Sequence, residues 1–79
     1  MDVVLPDLGE GIEKAVLACW HVQPGDKVDV DDDILEVVTD KATFHVSAGG
    51  RGILYEILVP AGKEARIGDV LARIEPDSA

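Results

Sequence analysis

Residues 36–46, EVVTDKATFHV, set one lysine between two runs suited to strands. Ile34, Glu36 and Val38 alternate with Leu35, Val37 and Thr39 on one side. On the other, Phe44 and Val46 alternate with Thr43 and His45, and this period of two predicts a β-hairpin. Asp40 and Lys41 are then its tip. Two-residue hairpin turns favour residues that tolerate positive φ, a preference that Asp40 meets and Lys41 does not. A lysine at such a tip holds a primary amine clear of the surface, where another protein can reach it. A second reading stands beside this one: Lys41 is an ordinary solvated turn residue, and a short motif alone does not choose between the two. Position matters under either reading, since a shift of one residue along a strand turns a side chain to the opposite face.

Other residues with possible chemistry carry less. Asp29, Asp31 and Asp33 have the opening spacing of a calcium loop, but Ile34 stands where such a loop requires glycine, so the stretch reads as a solvated acidic turn. His21 and His45 have no acidic or cysteine partner at ligand spacing along the chain, so no metal site is expected. Cys19 lies in a strand pattern as a small core or surface residue. No nucleophile stands beside a base, so no catalysis is expected of the chain by itself.

Composition narrows the function classes. Seventy-nine residues make one small domain with a thin core. Sixteen acidic residues against seven basic ones give a formal charge of −9, which repels phosphate backbones and anionic membrane surfaces. Neither nucleic acid nor membrane is an expected partner, and acidity of this size favours a monomer. A single cysteine allows no internal disulfide and suits a reducing setting. No apolar run approaches the roughly eighteen residues of a membrane span, and the start MDVVLPDLGEG lacks the pattern of an export signal.

An internal repeat gives the architecture. At an offset of 37 positions, residues 15–30 fall on residues 52–67: Val16 meets Ile53, Leu17 meets Leu54, Trp20 meets Ile57, Val22 meets Val59 and Gly25 meets Gly62. A one-residue slip near Asp31 to Asp33 lays DILEVVT over DVLARIE, with Leu35 on Leu71 and Val38 on Ile74. Short alternating runs and the turn signals Pro24-Gly25, Gly49-Gly50 and Ala61-Gly62 predict about seven or eight strands and no helix. Val16, Ala18, Trp20 and Val22 are expected on one inward face, and Ile53, Tyr55, Ile57 and Val59 on another packed against it. The predicted fold is an all-β flattened barrel or sandwich of two mainly antiparallel sheets related by an approximate two-fold axis. The lysine tip would stand at one end and the chain termini at the equivalent place at the other.

In this order and spacing, LPDLGEGI (5–12), VQPGDKV (22–28), TDKA (39–42) and GDVLARIE (68–75) resemble the lipoyl domain of the 2-oxo acid dehydrogenase acyltransferases, within the biotinyl/lipoyl carrier family. The resemblance covers nearly the whole chain and implies a carrier domain over residues 1–75, with 76–79 the start of a linker or tail. It implies lipoic acid in amide linkage to Lys41, a swinging arm that takes an acyl group and two electrons and passes the acyl group on. Asp40 and Ala42 would be read by the lipoate ligase or lipoyl transferase. Leu8, Gly9, Glu10, Gly11, Ile12 and Glu13 would form the loop beside the lipoyl turn that a thiamine-dependent 2-oxo acid decarboxylase recognises. The other implied partners are an acyltransferase catalytic domain and dihydrolipoyl dehydrogenase, in the cytoplasm or, in a eukaryote, the mitochondrial matrix. Many relatives have glutamate three residues before the lysine where this chain has Val38, which leaves the complex served open. The rival readings are a biotinyl carrier, whose sites place methionine on both sides of the lysine, and an unmodified acidic interaction module.

Overall fold

The computed structural model describes residues 1–9 and 11–76. Its eight strands are β1 (Asp2–Val4), β2 (Lys14–Trp20), β3 (Lys27–Val28), β4 (Asp33–Val38), β5 (Thr43–Ser47), β6 (Gly52–Ile57), β7 (Glu64–Arg66) and β8 (Val70–Pro76). They form two four-stranded sheets, ordered β1-β8-β6-β3 and β5-β4-β2-β7, and every pairing is antiparallel. The expected two-sheet all-β fold is therefore present.

Each strand of one sheet has its counterpart in the other, and the two-fold relation reaches individual hydrogen bonds. Gly25 N–H donates to Leu54 O at 2.6 Å, and Gly62 N–H to Leu17 O at 2.7 Å. Leu54 N–H donates to Asp26 O, and Leu17 N–H to Lys63 O. The acidic stretch takes part: the Asp32 carboxylate accepts from Asp29 N–H at 2.8 Å, as the Asp69 carboxylate accepts from Arg66 N–H at 2.9 Å. These carboxylates stand in for ladder partners at turns, which accounts for an aspartate at each position. The core repeats as well, with Leu17 and Leu54, Ile34 and Leu71, and Val37 and Ile74 all fully buried between the sheets.

Two details differ from the sequence expectation, both because of β-bulges. Opposite β4, Leu17 pairs with Val37 and Cys19 with Glu36, leaving Ala18 as an extra residue. Opposite β8, Leu54 pairs with Ile74 and Glu56 with Arg73, leaving Tyr55 as the extra residue. An extra residue inverts the inside–outside alternation beyond it. Unbroken alternation assigned Val16, Ala18, Ile53 and Tyr55 to the interior, yet Val16, Ile53 and Tyr55 are 42%, 40% and 48% exposed and Ala18 is exposed too. Ala15, Leu17 and Leu54 are buried in their place, while Trp20, Val22, Ile57 and Val59, beyond the bulges, pack against the core as expected.

The second correction concerns the slip near Asp31 to Asp33. Asp33 and Leu35 face Ser47 and Val46, while Val70 and Ala72 face Val4 and Val3, so Ile34 and Leu71 are the extra residues of matching bulges. Ile34 therefore matches Leu71, and the offset of 37 continues without a slip. Val38, which the slip laid over the buried Ile74, is 39% exposed.

Candidate functional site

The β4–β5 hairpin carries Lys41. Val37 pairs with Phe44 and Val38 with Thr43, so four residues, Thr39 to Ala42, close the turn with Asp40 and Lys41 at its tip. Val37 and Val46 are buried and Phe44 half-buried, which fixes the hairpin's root in the core; Asp40, Lys41 and Ala42 are exposed. Thr39 N–H donates to Ala42 O at 2.9 Å. The Thr39 hydroxyl adds three contacts: it accepts from Lys41 N–H at 3.2 Å and Ala42 N–H at 3.1 Å, and donates to Ala42 O at 3.1 Å.

Asp40 differs from expectation here. No non-glycine residue among those described has positive φ, so this is not the mirror-image turn that aspartate would have suited. The threonine side chain holds the tip instead. That contribution was not read from the sequence, although a threonine just before a turn can bond to the backbone two residues on.

The β1–β2 loop lies against this tip. Gly9 and Gly11 have φ of 122° and 83°, values that favour glycine, and Ile12 N–H donates to Gly9 O to close a turn. The Lys41 Nζ stands 3.7 Å from the point a Cβ on Gly11 would occupy. Of the loop's expected recognition residues, Gly9, Gly11 and Glu13 are exposed and Ile12 is half-buried. Leu8 packs against the core, anchoring the loop. Glu10 lies outside the described residues. A shallow groove joins loop and tip, lined among others by Gly11, Ile12, Glu13, Val16, Val38 and Asp40.

Comparison with known proteins places this geometry. Residues 1–74 match the biotin/lipoyl family, described as "Biotin-requiring enzyme". The chain is 31% identical to a lipoyl domain of the 2-oxoglutarate dehydrogenase complex from Azotobacter vinelandii, with a TM-score of 0.75 over 98% of this chain and 99% of that one. The chain belongs to the biotinyl/lipoyl carrier family, as a lipoyl domain. Lipoyl domains are non-catalytic carriers. It is also 36% identical over 75 residues to the dihydrolipoyllysine-residue acetyltransferase components of pyruvate dehydrogenase complexes from Staphylococcus epidermidis and Staphylococcus aureus. Those 75 residues are 95% of this chain but only 17% of those proteins. The urea carboxylase of Kluyveromyces lactis contains the same fold, at a TM-score of 0.79 and 21% identity.

His21 and His45 have no acidic or cysteine partner at ligand spacing along the chain, but the sheet brings His21, Glu36 and His45 together in space, with their ligand atoms all within 4.8 Å of one another. A tip at Asp40 and Lys41 already implies that Glu36 faces His45, so part of this cluster was legible in the hairpin register. His21 was not, because its place depends on the bulge in β2.

Proposed function

We propose that lipoic acid is joined in amide linkage to the Lys41 amine and that the domain serves as the swinging-arm carrier of a 2-oxo acid dehydrogenase complex. The observation that carries this reading is an exposed lysine at a two-residue tip whose backbone is pinned by Thr39 and whose strands are rooted in the core. Such a tip offers an amine to an attaching enzyme yet fixes the direction from which the arm leaves. The bound group supplies a dithiolane that accepts an acyl group with two electrons and yields the acyl group to coenzyme A. The protein's share is placement: Asp40 and Ala42 leave room around the amine and are the residues we assign to the lipoate ligase or lipoyl transferase.

The Leu8–Gly9–Glu10–Gly11–Ile12–Glu13 loop is the surface we assign to the thiamine-dependent decarboxylase, supported by the approach of Lys41 Nζ to Gly11. The remaining partners in this proposal are an acyltransferase catalytic domain and dihydrolipoyl dehydrogenase, with the domain itself monomeric and working in the cytoplasm or mitochondrial matrix. Lys41 has Asp40 and Ala42 as neighbours, not methionines, which favours lipoyl over biotinyl attachment.

The test is to incubate the wild-type chain and Lys41→Arg with lipoate ligase, ATP and lipoate, and to measure intact masses. One lipoyl group on the wild type and none on the variant is expected. Modification of Lys14, Lys27 or Lys63, or of the variant, would sink the assignment, and labelling of Lys41 by biotin ligase alone would favour the biotinyl reading. Reductive acylation of the loaded domain by pyruvate, 2-oxoglutarate and branched-chain decarboxylases then identifies the complex.

A further inference from the structure

The outer face of the β5-β4-β2 sheet carries a cluster that the carrier role does not use. Glu36, in the middle of β4, has Cys19 of β2 as its direct cross-strand partner on one side and His45 of β5 on the other. His21 follows the end of β2, where its backbone N–H donates to Ile34 O at 2.9 Å. The bulge at Ala18 turns this end of the strand so that His21 joins the face that holds Glu36 and His45. The two imidazole rings lie nearly parallel, 6.5 Å between centroids and 20° between planes. Among the described residues no side-chain hydrogen bond engages any of the three, so their ligand atoms are available.

From this arrangement we propose that His21, Glu36 and His45 form a binding site for a divalent transition metal of the zinc class. Two imidazole nitrogens and one carboxylate oxygen are a donor set that suits zinc and its borderline neighbours, whereas magnesium and calcium select oxygen ligands. An ion bound at about 2.0 to 2.2 Å from each donor needs ligand atoms roughly 3.3 to 3.6 Å apart in a tetrahedral arrangement. Closing the present limit of 4.8 Å to that spacing requires rotamer changes. His21 and His45 are exposed and Glu36 half-buried, so such rotations meet little packing resistance. The backbone beneath is rigid by contrast, since β4 is bonded on both edges and its Leu35 and Val37 are fully buried.

Three protein donors leave at least one coordination position for water or an incoming group, so the site is an open and exchangeable one. An ion held there ties the end of β2 to both strands of the hairpin whose tip carries Lys41. Cys19 flanks Glu36 but is not one of the three donors, and the acidic stretch at Asp29 to Asp33 attracts cations only through its charge.

The experiment titrates the untagged chain with zinc chloride by calorimetry and with cobalt(II) by visible absorption. It compares the wild type with His21→Gln, His45→Gln, Cys19→Ser and Asp31→Asn, each checked for an unchanged metal-free far-UV spectrum. A 1:1 complex is expected, with affinity at least tenfold weaker in each histidine variant and within about twofold of wild type in Cys19→Ser and Asp31→Asn. Zinc should also raise the wild-type thermal midpoint and leave that of the His21→Gln/His45→Gln double variant where it is. The proposal is overturned if the histidine variants bind zinc as the wild type does, if Asp31→Asn weakens binding as much as they do, or if no 1:1 complex forms at millimolar metal. Loss of binding on Cys19→Ser with the histidine variants unaffected would overturn it equally.

Discussion

Thr39→Val removes the hydroxyl that holds the lysine tip while nearly preserving side-chain shape. The backbone N–H groups of Lys41 and Ala42 lose their acceptor, and Ala42 O keeps only the bond from Thr39 N–H. Both freed donors lie at an exposed tip where water replaces the hydroxyl, so each loss falls at the low end of the usual range, about 0.5 kcal/mol. Together they lower the free energy of opening the tip by about 1 kcal/mol, which increases the open population roughly fivefold. The tip opens without the core, so the global midpoint should fall by less than the 4 to 8 °C that about 1 kcal/mol removes from a whole domain of this size. Amide hydrogen exchange is therefore the sensitive assay: protection at Lys41 and Ala42 should drop about fivefold in Thr39→Val while the core strands keep theirs. Thr39→Ser restores the hydroxyl and should restore most of the protection. Exchange at Lys41 and Ala42 equal to wild type in Thr39→Val, or as fast in Thr39→Ser as in Thr39→Val, would refute the assignment of the pin to this side chain.

Trp20 is half-buried, and its indole N–H donates to Val59 O at 3.0 Å across the two halves. Trp20→Ala should cost about 2 to 4 kcal/mol, somewhat below the value for a fully buried aromatic, and an unchanged denaturation midpoint would show that the ring does not contribute. Alternation in β6 ahead of its bulge makes opposite demands on neighbouring residues: Ile53→Thr, at an exposed position, should stay within about 0.5 kcal/mol of wild type, whereas Leu54→Ala should cost about 2 to 5 kcal/mol. Urea midpoints of that pair measure which residue faces the core, and a reversal of the order would undo the assigned register.

The elements that position the lysine were legible because their signals are local. The hairpin follows from period-two alternation on both sides of Asp40-Lys41, and the two-sheet architecture from the repeat that sets Leu17 on Leu54. What escaped depends on single-residue insertions in strands. Ala18 and Tyr55 break the period, and alternation without a break put Val16 and Ile53 inside. Ile34 and Leu71 break it again in matching bulges, which the likeness of DILEVVT to DVLARIE masked by suggesting a one-residue slip between the halves. The approach of Lys41 to Gly11 was expected only from the family resemblance, because it joins residues distant in sequence whose contact no pattern within either segment records.

The two-fold relation bears on why only one of the two equivalent sheet edges carries a hairpin tip. In one sheet β4 runs into β5 through the Thr39–Ala42 turn; in the other, β8 pairs with β1, the last and the first of the described strands. Leu5 N–H donates to Asp69 O as Ala48 N–H donates to Asp32 O, so β1 occupies in its sheet the place that β5 occupies in the other. A scaffold of two matching halves thus has one covalent hairpin tip and, at the equivalent position of the other sheet, two strands distant in sequence. Because the shared core of Leu17, Leu54, Ile34 and Leu71 fixes both sheets, changes at the Thr39–Ala42 tip can act there without disturbing the other half. That separation is what the small global effect expected of Thr39→Val would measure.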